Sequence, residues 1–271
     1  MRVKFVICIW LLVILGPAMA RGEEDPATQF VQANQSAGRG QYAEAAEAYE
    51  RLISMGYLNG RLFYNLGNCY LKQGHLGRAI VNYDRALIFM PRDADLAFNL
   101  KVALDQTKDE PPSPEWIATV SKMAFWYYGL APGELYALFA GINILLFAVL
   151  AIRMWRRAEW IFWSGLVCLF LWLILGVSAG LKAYSLANSG TGVIIVKEAT
   201  ALSGKDEGST ALFKLHDGAS VTVEQVDGAW AKVTFSEDKR GWTKLANLAQ
   251  IKDFRRPGND RRRPEEKKPK N

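Results

Sequence analysis

Two apolar stretches, residues 135–152 and 160–181, constrain this 271-residue chain more than any other feature. Neither contains a charged residue, although 22% of the chain is charged. A helix rises about 1.5 Å per residue and the hydrocarbon core of a bilayer is about 30 Å thick, so each stretch suffices for a crossing, the first barely. They predict membrane-spanning helices over residues 133–153 and 160–182, joined by a short loop at 154–159. A soluble cytosolic enzyme fits such a chain poorly.

The loop and the N-terminus both speak to orientation. Arg153, Arg156 and Arg157 lie between the spans, and short basic loops stay cytoplasmic. Both large flanks then lie outside. Independently, Arg2 and Lys4 precede an apolar run over 5–15, followed by Gly16-Pro17 and Ala18-Met19-Ala20. A positive start, a short apolar run and a small-residue exit describe a secretory signal peptide over 1–20, cleaved after Ala20. The two signals agree on the same topology.

Residues 21–110 carry a 34-residue self-similarity, the period of helix-turn-helix solenoids. In the unit 60–93, Phe63, Leu66, Gly67 and Tyr70 fall in the first helix, and Ala79, Tyr83, Ala86 and Pro91 in or after the second. Small residues at 67 and 79 let the helices cross closely, and Leu66, Tyr70 and Tyr83 fill the space between them. Pro91 ends the second helix, which it cannot continue. Gly40, Ala45 and Tyr49 repeat the pattern one unit earlier. Ala97, Leu100 and Leu104 repeat it one unit later, until Pro111-Pro112 stops it. The pattern resembles the tetratricopeptide repeat, with Phe63 where Trp is usual. It predicts an all-α tetratricopeptide solenoid of two repeats and a capping helix.

Such a solenoid has a concave groove lined by the first helix of each unit. Asn34, Tyr64, Asn65, Asn68, Lys72 and Asn99 are the candidate partner-binding residues, flanked by Phe30, Arg61, Leu71 and Asp95. A carboxamide both donates and accepts, so the four asparagines form a ladder able to bond an extended peptide backbone. The same asparagines can equally satisfy only their own neighbours, and the sequence leaves both readings open. Members of the repeat family that clamp a free carboxylate use Lys and Arg where this chain has Phe30, Asp95 and Asn99. A free acidic C-terminus is therefore not the expected ligand.

Residues 111–132 form a Pro-rich linker and an aromatic segment with Trp116, Trp126, Tyr127 and Tyr128, residue types that favour the membrane–water interface. After Gly190-Thr191-Gly192 the pattern changes to short β-rich runs at 193–196, 211–215, 221–226, 229–235 and 241–244. Asp227-Gly228 marks a hairpin, because Gly accepts the positive φ needed there. The order Leu215-His216-Asp217-Gly218, Val221-Thr222-Val223, Asp227-Gly228-Ala229-Trp230, Lys232-Val233 and Gly241-Trp242-Thr243 resembles a bacterial SH3 domain. That resemblance predicts an all-β SH3-like barrel over 190–251. Trp230 and Trp242 are expected in its core, and His216, without a partner acid, at a surface turn. Leu202-Ser203-Gly204 only partly echoes the family's Arg-Ser-Gly-Pro element, so the family's ligand groove is not carried over.

Charge and composition exclude several classes. The net charge is +6, but residues 252–271 hold nine Lys/Arg against four Asp/Glu, which accounts for five of the six. The rest offers no basic face to track a phosphate backbone, so no nucleic acid is expected. The tail reads as a solvated, disordered extension able to touch anionic lipid. Cys8, Cys69 and Cys168, with only His75 and His216, provide neither a disulfide framework nor a zinc site. No nucleophile–base pair, phosphate loop or carboxylate pair appears, so no catalytic residue, metal or cofactor is expected.

The whole order of signal peptide, short repeat array, two-span hairpin and SH3-like domain resembles the BatE-type proteins of bacterial aerotolerance operons. The resemblance implies a non-catalytic scaffold in the cytoplasmic (inner) membrane, with both folded domains on the periplasmic side. It also implies protein partners, namely membrane-anchored von Willebrand A-domain proteins and a MoxR-type ATPase system acting in envelope stress. The alternative is an envelope anchor that binds peptidoglycan through residues 190–251.

Overall fold

A computed structural model describes residues 25–109, 120 and 122–253. The expected signal peptide, most of the Pro-rich linker with Trp116, and nearly all of the basic tail lie outside the described residues.

Among the described residues five helices come first: α1 (Pro26–Gly38), α2 (Tyr42–Ser54), α3 (Gly60–Lys72), α4 (Leu76–Phe89) and α5 (Ala94–Leu104). Their punctuation keeps the repeat period. Asn59 and Asp93 cap α3 and α5, each side-chain oxygen accepting from the N–H three residues on, Leu62 at 2.8 Å and Leu96 at 2.9 Å. Gly40 and Gly74 turn the chain between paired helices at φ +79° and +76°, a region Gly enters without steric cost. At the α3–α4 crossing a Cβ on Gly67 would lie 2.6 Å from the Tyr83 ring. Phe63, Leu66, Ala79, Tyr83 and Ala86 are buried, as the pattern requires. This is a tetratricopeptide-like helical region.

A short aromatic helix, α6 (Phe125–Gly129), leads into α7 (Pro132–Trp155) and α8 (Glu159–Asn188), 24 and 30 residues long. Both are long and apolar enough to cross a membrane. Among the described residues only 11% and 17% of their most apolar stretches are buried, whereas the core helix of a soluble protein is mostly buried. Against each other they fit closely: a Cβ on Gly176 would lie 3.0 Å from the Phe139 ring, which packs 5.8 Å from Trp172. Polar ties fasten them to their surroundings. The Trp126 indole donates to Ser178 Oγ (3.2 Å), Lys182 Nζ donates to the Tyr127 carbonyl (2.8 Å), and Arg92 pairs with Glu134 at the start of α7.

Seven antiparallel strands follow: β1 (Thr191–Ile194), β2 (Glu198–Leu202), β3 (Ala211–His216), β4 (Ser220–Asp227), β5 (Trp230–Ser236), β6 (Lys239–Lys244) and β7 (Leu248–Gln250). They form one sheet in the order β3-β2-β6-β5-β4-β1-β7. The sheet is open: β3 and β7 end the order with no pairing to each other among the described residues, so the expected closed barrel is not what the ladders form. Instead α4 covers the β1–β7 end, which also protects an edge. Trp230 and Trp242 are half-buried and lie outside the core, contrary to expectation. Alternation along the strands explains this, since Ala231 and Val233 on β5, and Gly241 and Thr243 on β6, take the inward positions. The core is built from Ile194, Leu215, Val221, Val233 and Leu248 with three alanines.

A seam joins the sheet to the helices. Val193 and Ile195 turn towards the repeats while Ile194 and Val196 turn into the β core, the period of two expected of an extended strand. On α4, a Cβ on Gly77 would lie 1.9 Å from the Ile194 carbonyl oxygen. The N-terminus of α4 has no side-chain cap of its own. Asp217, in the β3–β4 turn, supplies one, its carboxylate accepting from the N–H groups of Leu76 (3.1 Å) and Gly77 (2.9 Å). Burial raises the Asp217 carboxyl above its ordinary range, and these two bonds oppose the shift. Arg85 donates to the carbonyls of Gln250 (3.0 Å) and Ile251 (3.4 Å). His216 does have a partner acid: Asp109 Oδ2 accepts from its backbone N–H (2.6 Å) and lies 3.0 Å from its Nδ1.

Candidate functional site: the concave groove

The asparagine ladder is wired into the fold, and the wiring repeats. Asn34 Oδ1 accepts from the Tyr49 hydroxyl (2.6 Å) and from Asn65 Nδ2 (2.8 Å). One period later, Asn68 Oδ1 accepts from the Tyr83 hydroxyl (2.7 Å) and from Asn99 Nδ2 (3.0 Å). Each link therefore joins the first helix of one unit to its own second helix and to the first helix of the next. The tyrosine bodies fill the core while their hydroxyls reach the groove floor, the usual arrangement for a buried Tyr.

Only half of each amide is committed. Among the described residues, Nδ2 of Asn34 and Asn68 and Oδ1 of Asn65 and Asn99 have no hydrogen-bond partner. These groups border a cavity of about 500 Å³ that runs across α1, α3 and α5. The site thus offers alternating donors and acceptors on a rigid floor, the complement of an extended backbone.

Of the six residues singled out from sequence, Asn34, Asn65, Asn68, Lys72 and Asn99 line this one cavity. Tyr64 stands behind it, its hydroxyl accepting from Asn99 Nδ2 (2.9 Å) and its ring 6.1 Å from that of Tyr83. Phe30 lies elsewhere, in a second hollow with Pro26, Leu52 and Tyr57. Phe98 was not singled out, yet it lines the groove and is 66% exposed. The repeat held the signal: Phe98 is one period after Tyr64 and two after Phe30.

Electrostatics keep the groove's Cys69 and Tyr49 protonated. Burial pushes the Cys69 thiol up to about 11, so at neutral pH this groove residue stays a protonated thiol and a poor nucleophile. Burial likewise pushes the Tyr49 hydroxyl up to about 12, keeping it a donor to Asn34. Among the described residues no group of three His, Cys, Asp or Glu could hold a metal ion.

Comparison with known proteins agrees with the helical geometry. A family model described as Tetratricopeptide repeat matches residues 30–97, which spans α2, α3 and α4 and parts of α1 and α5. The chain is also similar to the general transcriptional corepressor trfA of Dictyostelium discoideum, 31% identical over 85 residues. That match covers 31% of this chain and only 6% of the relative. The likeness is therefore confined to a segment of each chain, and the repeat matched over residues 30–97 suits protein–protein interaction.

Proposed function

We propose that this protein is a non-catalytic, membrane-anchored scaffold whose repeat groove holds an extended segment of a protein partner. The observation that carries the reading is the half-committed ladder, with the Lys72 ammonium and the exposed Phe98 ring beside it. Phe98 offers an apolar anchor, and the free amide edges offer backbone bonds at each repeat.

In this reading α7 and α8 are the anchor. The seam supports placing repeats and sheet on one side, because two crossings return the chain to the side it left. The arginine loop supports placing that side outside the cytoplasm, the periplasmic face of a bacterial inner membrane. The β region is read as an SH3-like module opened to receive α4. The order of parts supports a BatE-type role in an envelope stress complex, with von Willebrand A-domain membrane proteins and a MoxR-type ATPase system as partners. A rival reading draws on the half-exposed Trp230 and Trp242. They give the β region a face on which a sugar ring can stack, as peptidoglycan binding requires.

A photo-crosslinking residue placed at Phe98, Trp242 or the exposed Glu44 of α2, in intact cells, separates these readings. A protein adduct at Phe98 and none at Glu44 is expected. Adducts equally frequent at both sink the groove assignment, and cell-wall adducts at Trp242 favour the rival. Topology has its own test. A reporter active only outside the cytoplasm should work when fused after Asn271 and stay silent after Arg157; the reverse pattern refutes the orientation.

A further inference from the structure

A second cavity, of about 520 Å³, opens where four parts of the molecule meet. Asp84 comes from α4, Tyr128 from α6, Lys182 and Ser185 from the last turns of α8, Ser220 from β4 and Lys252 from the turn after β7. It shares no lining residue with the groove. Lys182 follows directly on the second apolar run. On the anchor reading proposed above, on which this inference rests, the cavity therefore sits where hydrocarbon gives way to lipid headgroups, a depth that Tyr and Lys also favour.

Its polar groups form a charge-separated set. The Lys182 ammonium is fixed by the Tyr127 carbonyl (2.8 Å) and lies 4.9 Å from the Tyr127 ring centre. Lys252 and the hydroxyls of Tyr128, Ser185 and Ser220 add further donors. Among the described residues nothing hydrogen-bonds the Asp84 carboxyl. Asp84 is half-buried, and this partial withdrawal from water pushes its carboxyl up to about 7, against the pull of the neighbouring Arg85 guanidinium. A carboxyl so placed gains most from a cationic donor brought to it, because an ionised group away from water is costly until paired.

We propose that this cavity binds the headgroup of an aminophospholipid, with the phosphate towards Lys182 and Lys252 and the primary ammonium towards Asp84. The acyl chains then follow the apolar surface of α8 into the bilayer. A purely anionic headgroup satisfies the lysines and leaves Asp84 unpaired. A quaternary ammonium supplies charge but no N–H for the carboxyl to accept.

The full-length protein, purified in detergent and stripped of lipid, is mixed with equal amounts of phosphatidylethanolamine, phosphatidylcholine, phosphatidylglycerol or water-soluble phosphoethanolamine. Retained molecules are counted by native mass spectrometry. Phosphatidylethanolamine should be retained about tenfold over the other two lipids, the worth of one charge-assisted hydrogen bond. Asp84→Asn should lower it to the phosphatidylcholine level, Asp84→Glu should restore the preference, and Lys182→Met should weaken all three lipids. Equal retention of the three lipids, or a preference that survives Asp84→Asn, overturns the site as a headgroup pocket. Tight binding of phosphoethanolamine with no lipid retention overturns the lipid assignment in favour of a free phosphomonoester. Carbonate extraction of membranes separates the two readings. A chain released into the soluble fraction defeats the anchor itself, whereas a chain that stays embedded without headgroup preference defeats this inference alone.

Discussion

The groove and the seam flank the same helix, α4, yet they are held together in opposite ways. The groove is assembled from one hydrogen-bonded unit used twice, an asparagine accepting from a tyrosine 15 residues on and from an asparagine 31 residues on. The seam uses nothing twice. Its ties, Asp217 to α4 and Arg85 to Gln250, join residues 140 and 165 positions apart. The contrast teaches where each surface is vulnerable. A repeated, local network can lose one link and keep the next, whereas the seam depends on single contacts.

The largest effect should follow from Gly67→Leu, which drives side-chain bulk into the Tyr83 ring and parts α3 from α4. Overpacking of this kind costs about 3 kcal/mol or more, and helical circular dichroism of the full chain should fall. Retained helicity at unchanged stability would show that the crossing tolerates separation and that the groove is not a rigid unit. Gly77→Ala attacks only the seam. Its methyl cannot coexist with the Ile194 carbonyl, so α4 must withdraw from β1 at a cost of roughly 2 kcal/mol. Melting should then split into two transitions with the repeats still helical; one cooperative transition would mean that the seam does not couple the regions.

Asn68→Ala tests the opposite side. It strands the buried Tyr83 hydroxyl and removes the acceptor of Asn99, costing about 2 kcal/mol in thermal or denaturant unfolding. A neutral outcome would reduce the ladder to a ligand surface without a structural share. Asp217→Ala removes a helix cap and should cost about 1 kcal/mol, with faster hydrogen exchange at Leu76 and Gly77 than in the parent chain. The last effect depends on pH. The folded chain holds a proton on Asp84 that the unfolded chain, near 3.8, releases, so stability from this group falls as pH rises from about 4 to about 7. Arg85, Lys182 and Lys252 are the charged groups around it. Asp84→Asn should therefore stabilise the lipid-free protein more at pH 8 than at pH 5, as read by thermal melting. An equal effect at both pH values would place the carboxyl in water.

Much of the groove was legible because repetition exposes it. Gly67, Ala79 and Tyr83 announce the helix crossing, and a shift of one period places Asn34 beside Asn65 and Asn68 beside Asn99. What periodicity could not tell was that each asparagine is divided between fold and groove, since that depends on where the Tyr49 and Tyr83 hydroxyls end. The two apolar helices were legible from composition, and five of the strands from β-branched runs and turns. The alanine-rich β2 was not, because Ala has little β preference, and β7 is too short to show alternation. The seam left one faint mark. In α4 residues 79–83 are buried without a break, more than a single apolar stripe allows, so a second face had to be covered. Nothing in the sequence said by what, because Asp217-Gly218 looks like any Asp-Gly turn.

During synthesis α4 leaves the ribosome about 140 residues ahead of the aspartate that caps it. At about 5–20 residues per second that is a wait of roughly 7 to 28 s. Throughout it the amides of Leu76 and Gly77 and the flank around Ile80 and Val81 stand bare. In an anchored chain α7 and α8 must be inserted before relief arrives, and relief arrives only when the sheet emerges on the same side as the repeats. A chain in which only one of the two helices inserts strands the sheet on the far side and leaves the amides of Leu76 and Gly77 without their cap. Completing α4 thus proofreads the insertion of the two helices that separate it from its cap.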